Sequence, residues 1–376
     1  WRGTNYAPNW VTENNRWMAD QSSEGGSGVA NDVGASEHMA DKQTRHCRAR
    51  IIENTPARVK IHWRYPCVGV SYLNLFPTEW SDEYHTIYPD GTGVRKVVWD
   101  KGTGTPGFQD IQFLTNPGEV PLDVMDLQAL TVMDLAGATA DLTWALPQMV
   151  PDNPLVDTAL VELCHSKGSV HKVFAMFQGG GIEPWGENNN VIIDPFAGPW
   201  NHWPMSLCPS DGRFAVASDR VTHFALAAND GAKNADGMSL VLYGFSNKTG
   251  FANNQQQIAS LLPLYKSWKQ PPGITALSGC TAGAYDKETR CFPLAATQAA
   301  MSVRINASAA NPVVNPCFTV KNWGGSGAAV VETTGAVASD VRQGTIVDTD
   351  GTRTLVVWVE LNVTVPVDVA ISGASF

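Results

Sequence analysis

The sequence predicts a mostly β protein, a large antiparallel β-sandwich followed by a smaller C-terminal β-sandwich. Three observations lead there. Residues 58–65 and 83–88 alternate from residue to residue with the period of two that marks a strand, and 94–99 reads as the return strand of a hairpin. Residues 273–376 carry short Val- and Thr-rich runs separated by turn residues. Only 255–269 shows a clear helical stripe. No fixed-period repeat is visible, so propellers and solenoids are not favoured.

The chain has 376 residues, 43% hydrophobic and 16% charged, enough for one large domain or two ordinary ones. A net charge of −10 with no basic run argues against nucleic acid or an anionic membrane as partner. Thirteen Trp and eight Tyr are many, and Trp in a surface cleft is a usual platform for a sugar ring, although large sandwiches also place Trp in their cores. No run of 18 apolar residues is present. The chain begins at Trp1 without Met or a signal peptide and reads as a mature or trimmed product.

Taken in order, residues 1–46 read as an irregular N-terminal arm, rich in Asn and Trp with a Gly/Ser segment over 21–29 and too few aliphatics for a core. Residues 47–272 read as the large sandwich. Arg58, Lys60, His62 and Arg64 share one face of a strand, a basic stripe in an acidic protein; Val59, Ile61, Trp63 and Tyr65 form the core face. Residues 80–96 read as a hairpin closed at Pro89-Asp-Gly, with Tyr84 and Tyr88 on one face and His85 on the other. That is dense proton-transfer chemistry, or else a polar solvent face with aromatic cross-strand pairs. Residues 122–137 are the first candidate helix, though their apolar positions do not settle on one stripe. Strands follow near 159–163 and 171–177. Around Trp200-Asn-His-Trp-Pro, proline and turn residues exclude a long regular element. His202 there sits beside Asn201 between Trp200 and Trp203, with Arg213 following. Pro263 is expected to disturb the 255–269 helix and Pro271-Pro-Gly to end it. Residues 273–376 read as the second sandwich, structural or carbohydrate-facing.

Of seven cysteines, Cys280 and Cys291 flank a short loop and are the easiest disulfide to imagine. Cys47 with Cys67 and Cys164 with Cys208 are further plausible pairs, and the odd count leaves one thiol free or intermolecular. With no CxxC pair, a zinc knuckle is not expected. Asn247, Asn306 and Asn362 head three Asn-x-Ser/Thr tripeptides and would be glycan acceptors in a secreted eukaryotic protein.

Several strings resemble those of secreted polysaccharide lyases from marine polysaccharide-degrading bacteria, the ulvan-lyase-like group. They include Trp1-Arg-Gly-Thr-Asn-Tyr, Pro8-Asn-Trp-Val-Thr-Glu-Asn, Ser81-Asp-Glu-Tyr-His-Thr-Ile-Tyr-Pro-Asp-Gly, Trp200-Asn-His-Trp-Pro, Pro209-Ser-Asp-Gly-Arg and Pro312-Val-Val-Asn-Pro. The resemblance implies a lyase/mutarotase-like super-sandwich, secretion, and β-elimination at a uronic acid in a sulfated polysaccharide.

Such elimination needs a base for the C5 proton, a group that neutralises the carboxylate, and an acid for the leaving oxygen. The candidates are Tyr84 or Tyr88 as base and acid, and His85 or His202 as base or neutraliser. Arg64, Arg95 and Asn201 would hold carboxylate or sulfate, with Trp200, Trp203 and Arg213 as further substrate contacts. A tyrosine, normally of pKa about 10, needs neighbouring cations to act as a base near neutral pH. The expected partner is an acidic polysaccharide; no cofactor is expected, and a structural divalent cation and self-association are left open. The alternative is a lyase-like fold used as a non-catalytic carbohydrate-binding or self-assembling glycoprotein. A glycoside hydrolase built on Asp82 and Glu83 is weaker, because adjacent strand residues point to opposite faces.

Overall fold

In the computed structural model, residues 7–22, 24–25, 36–37, 41, 44–68, 75–99, 109–116, 119, 121–144, 150–184, 222–229, 238–325 and 327–373 are described. The chain is mostly β, as its alternation predicts, and its helical segments among these residues are short: Pro121–Val124, Asn254–Ala259 and Leu262–Lys269. No helix among them is long and apolar enough to cross a membrane. The chain divides into two units. Unit 1 comprises residues 1–50, 62–84 and 95–260; unit 2 comprises 51–61, 85–94 and 261–376. The division therefore falls at Leu261, ahead of the boundary read at 273, and two segments from the first quarter of the chain, 51–61 and 85–94, belong to the C-terminal unit.

Unit 1 is built on two sheets. One has five strands in the order Trp10–Val11, Trp17–Gln21, Asp110–Thr115, Thr222–Ala228, Glu183–Pro184. The other has eleven, running from Thr139–Leu142 through Met125–Asp134, Ala159–Ser166, His171–Phe177, Met238–Asn247, Gly93–Trp99 and Leu75–Ile87 to Val59–Val68 and beyond. Arg48–Asn54 pairs with Val59–Val68 at the side of this path. Met18, Ile111, Phe113, Phe224 and Leu226 from the smaller sheet meet Leu130, Val132, Val173, Phe177 and Val241 from the larger in one core. The N-terminal segment is thus not an irregular arm throughout: Trp17–Gln21 pairs antiparallel with Asp110–Thr115 and buries Met18 in that core.

The 122–137 helix expectation is also corrected. Only Pro121–Val124 is helical, and Met125–Asp134 is a strand between Thr139–Leu142 and Ala159–Ser166. Residues 129–133 are buried on both faces, so neither a helical stripe nor an alternation marks them. The 255–269 helix exists as two pieces. The first ends at Ser260, and Pro263 sits in the first turn of the second, where its missing N–H costs nothing.

Unit 2 pairs a four-stranded sheet (Ile274–Ser278, Ala300–Ile305, Val367–Ser372, Val330–Thr334) with a five-stranded one (Cys280–Ala282, Cys291–Ala296, Cys317–Lys321, Arg353–Glu360, Asp340–Val347). Phe292, Val303, Phe318, Trp323, Val357 and Val369 belong to its core. The predicted turn at Pro89-Asp-Gly forms here, with Gly91 at φ 74°. Asp90 caps Thr92 N at 3.0 Å and accepts from Arg290 and Asn315, each at 2.9 Å.

None of the six described cysteines is in a disulfide; Cys208 lies outside the described residues. The Cys280–Cys291 pairing is corrected by register. Cys280 lies opposite Ala296, five residues along the strand from Cys291, roughly 16 Å away and beyond disulfide reach. Cys291 instead lies opposite Cys317, because these two strands pair in parallel.

Candidate functional site

Val59–Val68 and Leu75–Ile87 are neighbours in the large sheet, and their alternation sorts side chains into two layers. Outward on unit 1 go His62, Arg64, Trp80, Asp82 and Tyr84; inward go Trp63, Tyr65, Ser81 and Glu83, all buried. Arg50, exposed on the flanking strand, joins the outer group.

The outer layer is one connected cluster. Asp82 joins two residues of the neighbouring strand: His62 Nε2 stands 2.6 Å from Oδ1, and Arg64 Nη1 donates to Oδ2 at 2.6 Å. Arg50 Nε donates to His62 Nδ1 at 3.2 Å. Since Nδ1 accepts, the ring proton sits on Nε2 and is donated to Asp82. The Tyr84 ring stacks on His62, centroids 4.7 Å apart and planes 13° from parallel. The Arg64 guanidinium lies 5.0 Å over the Trp80 ring. Two guanidinium groups and one carboxylate stand in this cluster, leaving a local positive surplus on an acidic protein. Arg64 is 44% exposed and Asp82 23% exposed, so an anion in solution can reach the cluster.

Beneath it, the inner layer is a closed polar network. Arg95 donates to Glu83 through Nε at 2.8 Å and Nη2 at 2.6 Å, to Gln109 at 2.8 Å, and pairs with Asp20 at 2.6 Å. Tyr65 donates to Glu83 Oε1 at 2.7 Å, and Ser22 reaches the same oxygen at 3.2 Å. One guanidinium faces two buried carboxylates, and burial, against the pull of Arg95, pushes the Asp20 carboxyl up to about 7. Burial likewise holds Glu162 well above the usual carboxylate range, with Asp20 and Asp110 adding to it. A carboxyl raised in the folded state contributes stability below its unfolded value of 3.8, and that contribution is lost as pH rises towards about 7. Urea unfolding should therefore show stability falling between about pH 4.5 and 7 in the native chain, and a flatter profile in Asp20→Asn. An unchanged slope in the variant would contradict the assignment.

Of the residues singled out from sequence, Tyr84 and Arg64 belong to the outer cluster. Three do not. Arg95 is 1% exposed and fully engaged in the inner network, so it holds the sheet together and does not meet a polymer in solution. His85 alternates away from Tyr84 and is buried. Tyr88 lies past the end of its strand and is 3% exposed inside unit 2, its hydroxyl donating to the Thr289 carbonyl. His202, Asn201, Trp200, Trp203 and Arg213 lie outside the described residues. The basic stripe also divides: Arg58 is buried against Glu53 at 2.6 Å in unit 2, Lys60 stands 3.9 Å from the same carboxylate, and only His62 and Arg64 reach the outer cluster. Asp82 and Glu83 occupy opposite faces and do not form a carboxylate pair. Asn247, Asn306 and Asn362 are all exposed. Among the described residues, no group of three or more His, Cys, Asp or Glu is arranged to hold a metal.

What the sequence reading missed is the role of His62, Asp82 and Arg50 as a unit. The signal was present as the basic stripe and the carboxylate of Asp82, but joining them requires knowing which strands are neighbours.

No family model matches the chain, and no curated protein matches it. Among solved structures it is similar to a GalM/aldose epimerase homologue from C. elegans. The identity is 9% over 65% of this chain and 94% of that one. The TM-score of 0.26 is too low for that protein's fold or function to be carried over.

Proposed function

We propose that the protein is an extracellular polysaccharide lyase that cleaves a uronic-acid-containing, sulfated polysaccharide by β-elimination on the outer face of unit 1. The observation that carries this reading is the positive surplus around half-buried Trp80 and Tyr84, on a sheet face where Arg50 and Arg64 are exposed. Arg50 and Arg64 bind the uronate carboxylate and draw charge from it, which makes the C5 proton acidic. The Tyr84 phenolate takes that proton, the bond from C4 to the glycosidic oxygen breaks as the C4–C5 double bond forms, and the resulting phenol passes the proton on to the leaving oxygen. His62, stacked on Tyr84 and fixed between Arg50 and Asp82, sets the position of the phenol. Trp80, partly exposed, supplies an apolar surface for the neighbouring sugar. Asn247, Asn306 and Asn362 are exposed and would accept glycans in a chain secreted by a eukaryote.

A second reading is favoured by one feature: both ring nitrogens of His62 are already engaged, so the histidine offers no lone pair to a substrate. The same face would then bind an acidic polysaccharide without cleaving it. Incubation with a panel of uronate polysaccharides, ulvan first, separates the two. Rising ultraviolet absorbance from unsaturated uronate supports the lyase. A flat trace across the panel with the protein folded rejects it, and retardation in a polysaccharide-loaded gel then supports binding alone.

A further inference from the structure

Unit 2 contains a buried group of side chains that takes no part in this chemistry. Cys291 opens the strand Cys291–Ala296 and Cys317 opens Cys317–Lys321; the two strands pair in parallel with these residues directly opposite one another. They are 1% and 0% exposed. Partners on adjacent strands lie about 4.8 Å apart, inside the Cα separation that a disulfide spans. The Arg58 guanidinium donates to the Cys291 sulfur at 3.0 Å, and the Tyr88 hydroxyl stands 3.2 Å from it. Two thiols in register, one of them beside a cation, are placed to close a disulfide.

We infer that Cys291 and Cys317 form an internal disulfide when the chain meets a disulfide oxidant, replacing the Cys280–Cys291 pairing that loop length alone suggests. The Cys291 thiolate attacks one sulfur of a small-molecule disulfide such as oxidised glutathione and expels one glutathione thiolate. That thiolate takes a proton. Cys317 then gives up its proton and attacks the Cys291 sulfur, expelling the second glutathione as a thiol. Two protein thiols are oxidised and one small disulfide is reduced to two thiols. Both sulfurs are buried once the chain is folded, so the exchange takes place while the two strands come into register, and the surroundings they enter favour Cys291 as the attacking thiolate. Burial opposes ionisation of Cys291, but the Cys317 thiol, Arg58 and Tyr88 outweigh it and hold Cys291 below the ordinary thiol range. Burial and the neighbouring Cys291 sulfur raise Cys317 instead. Arg58 loses no necessary partner when the bond closes, because Glu53 holds its Nε and Nη2 at 2.6 and 3.1 Å. The bridge ties the two strands across the loop 292–316, restricting the unfolded chain.

The test is to refold the reduced full chain in a glutathione redox buffer, block remaining thiols, and map tryptic peptides without reduction. The expected product joins peptide 291–304 to peptide 305–321, and its melting temperature exceeds that of the reduced protein by roughly 5–10 °C. Cys317→Val, which keeps the site apolar, should lose both the joined peptide and the redox-dependent shift. Recovery of folded protein with Cys291 and Cys317 both blocked as free thiols, or with Cys291 joined to any other cysteine, would overturn the inference.

Discussion

Glu83→Ala is expected to destabilise unit 1 by about 3–5 kcal/mol, a large share of the roughly 5–15 kcal/mol that holds a typical domain. The carboxylate is completely buried and accepts from Arg95, Tyr65 and Ser22. Removing it leaves the Arg95 guanidinium with Asp20 and Gln109 as its remaining side-chain partners and takes an acceptor from the Tyr65 and Ser22 hydroxyls, which keep the 2.8 Å bond to each other. The loss should appear as a lower urea midpoint with an unchanged m-value. Glu83→Gln keeps the shape and one acceptor and should lose less. If Glu83→Ala unfolds at the native midpoint, the inner network is not what joins the Leu75–Ile87 and Gly93–Trp99 strands to Asp20.

Tyr84→Phe is expected to do the opposite, leaving stability within about 0.5 kcal/mol while lowering the elimination rate by roughly 10²–10⁴-fold. The ring keeps its stacking on His62, and only the hydroxyl is removed; that hydroxyl has no hydrogen-bond partner among the described residues. Asp82→Asn separates positioning from chemistry. It weakens the hold on His62 and Arg64 together, so it should raise KM and lower kcat, whereas Tyr84→Phe should act chiefly on kcat. Full elimination activity in Tyr84→Phe would remove the phenol from the reaction.

Much of the sheet architecture was legible because alternation is strong where one face is buried. The short Val- and Thr-rich runs of residues 273–376 are strands, among them Ala300–Ile305, Cys317–Lys321, Arg353–Glu360 and Val367–Ser372. Met125–Asp134 was not legible, since a strand buried on both faces lacks the alternation that identifies it. The candidate site was half legible. Tyr84 and Arg64 announce themselves by chemistry and position, but the value of His62 depends on Asp82 twenty residues later and on Arg50 across a turn. Arg95 and Tyr88 read as reactive groups because residue type says nothing of burial. Their partners, Asp20 for one and Thr289 for the other, are 75 and 201 positions away. The Cys291–Cys317 juxtaposition was hidden for the same reason: it arises from a parallel pairing, and sequence proximity favoured Cys280.

Under the proposed function, the Trp80–Tyr84 face receives an acidic sugar. Crystals of the Tyr84→Phe variant soaked with a sulfated uronate tetrasaccharide test it most directly. The expected result is a uronate carboxylate against Arg50 and Arg64, with its ring carbon C5 facing residue 84 and an adjoining sugar beside Trp80. An oligosaccharide ordered elsewhere on the molecule, with this face unchanged, would contradict the account.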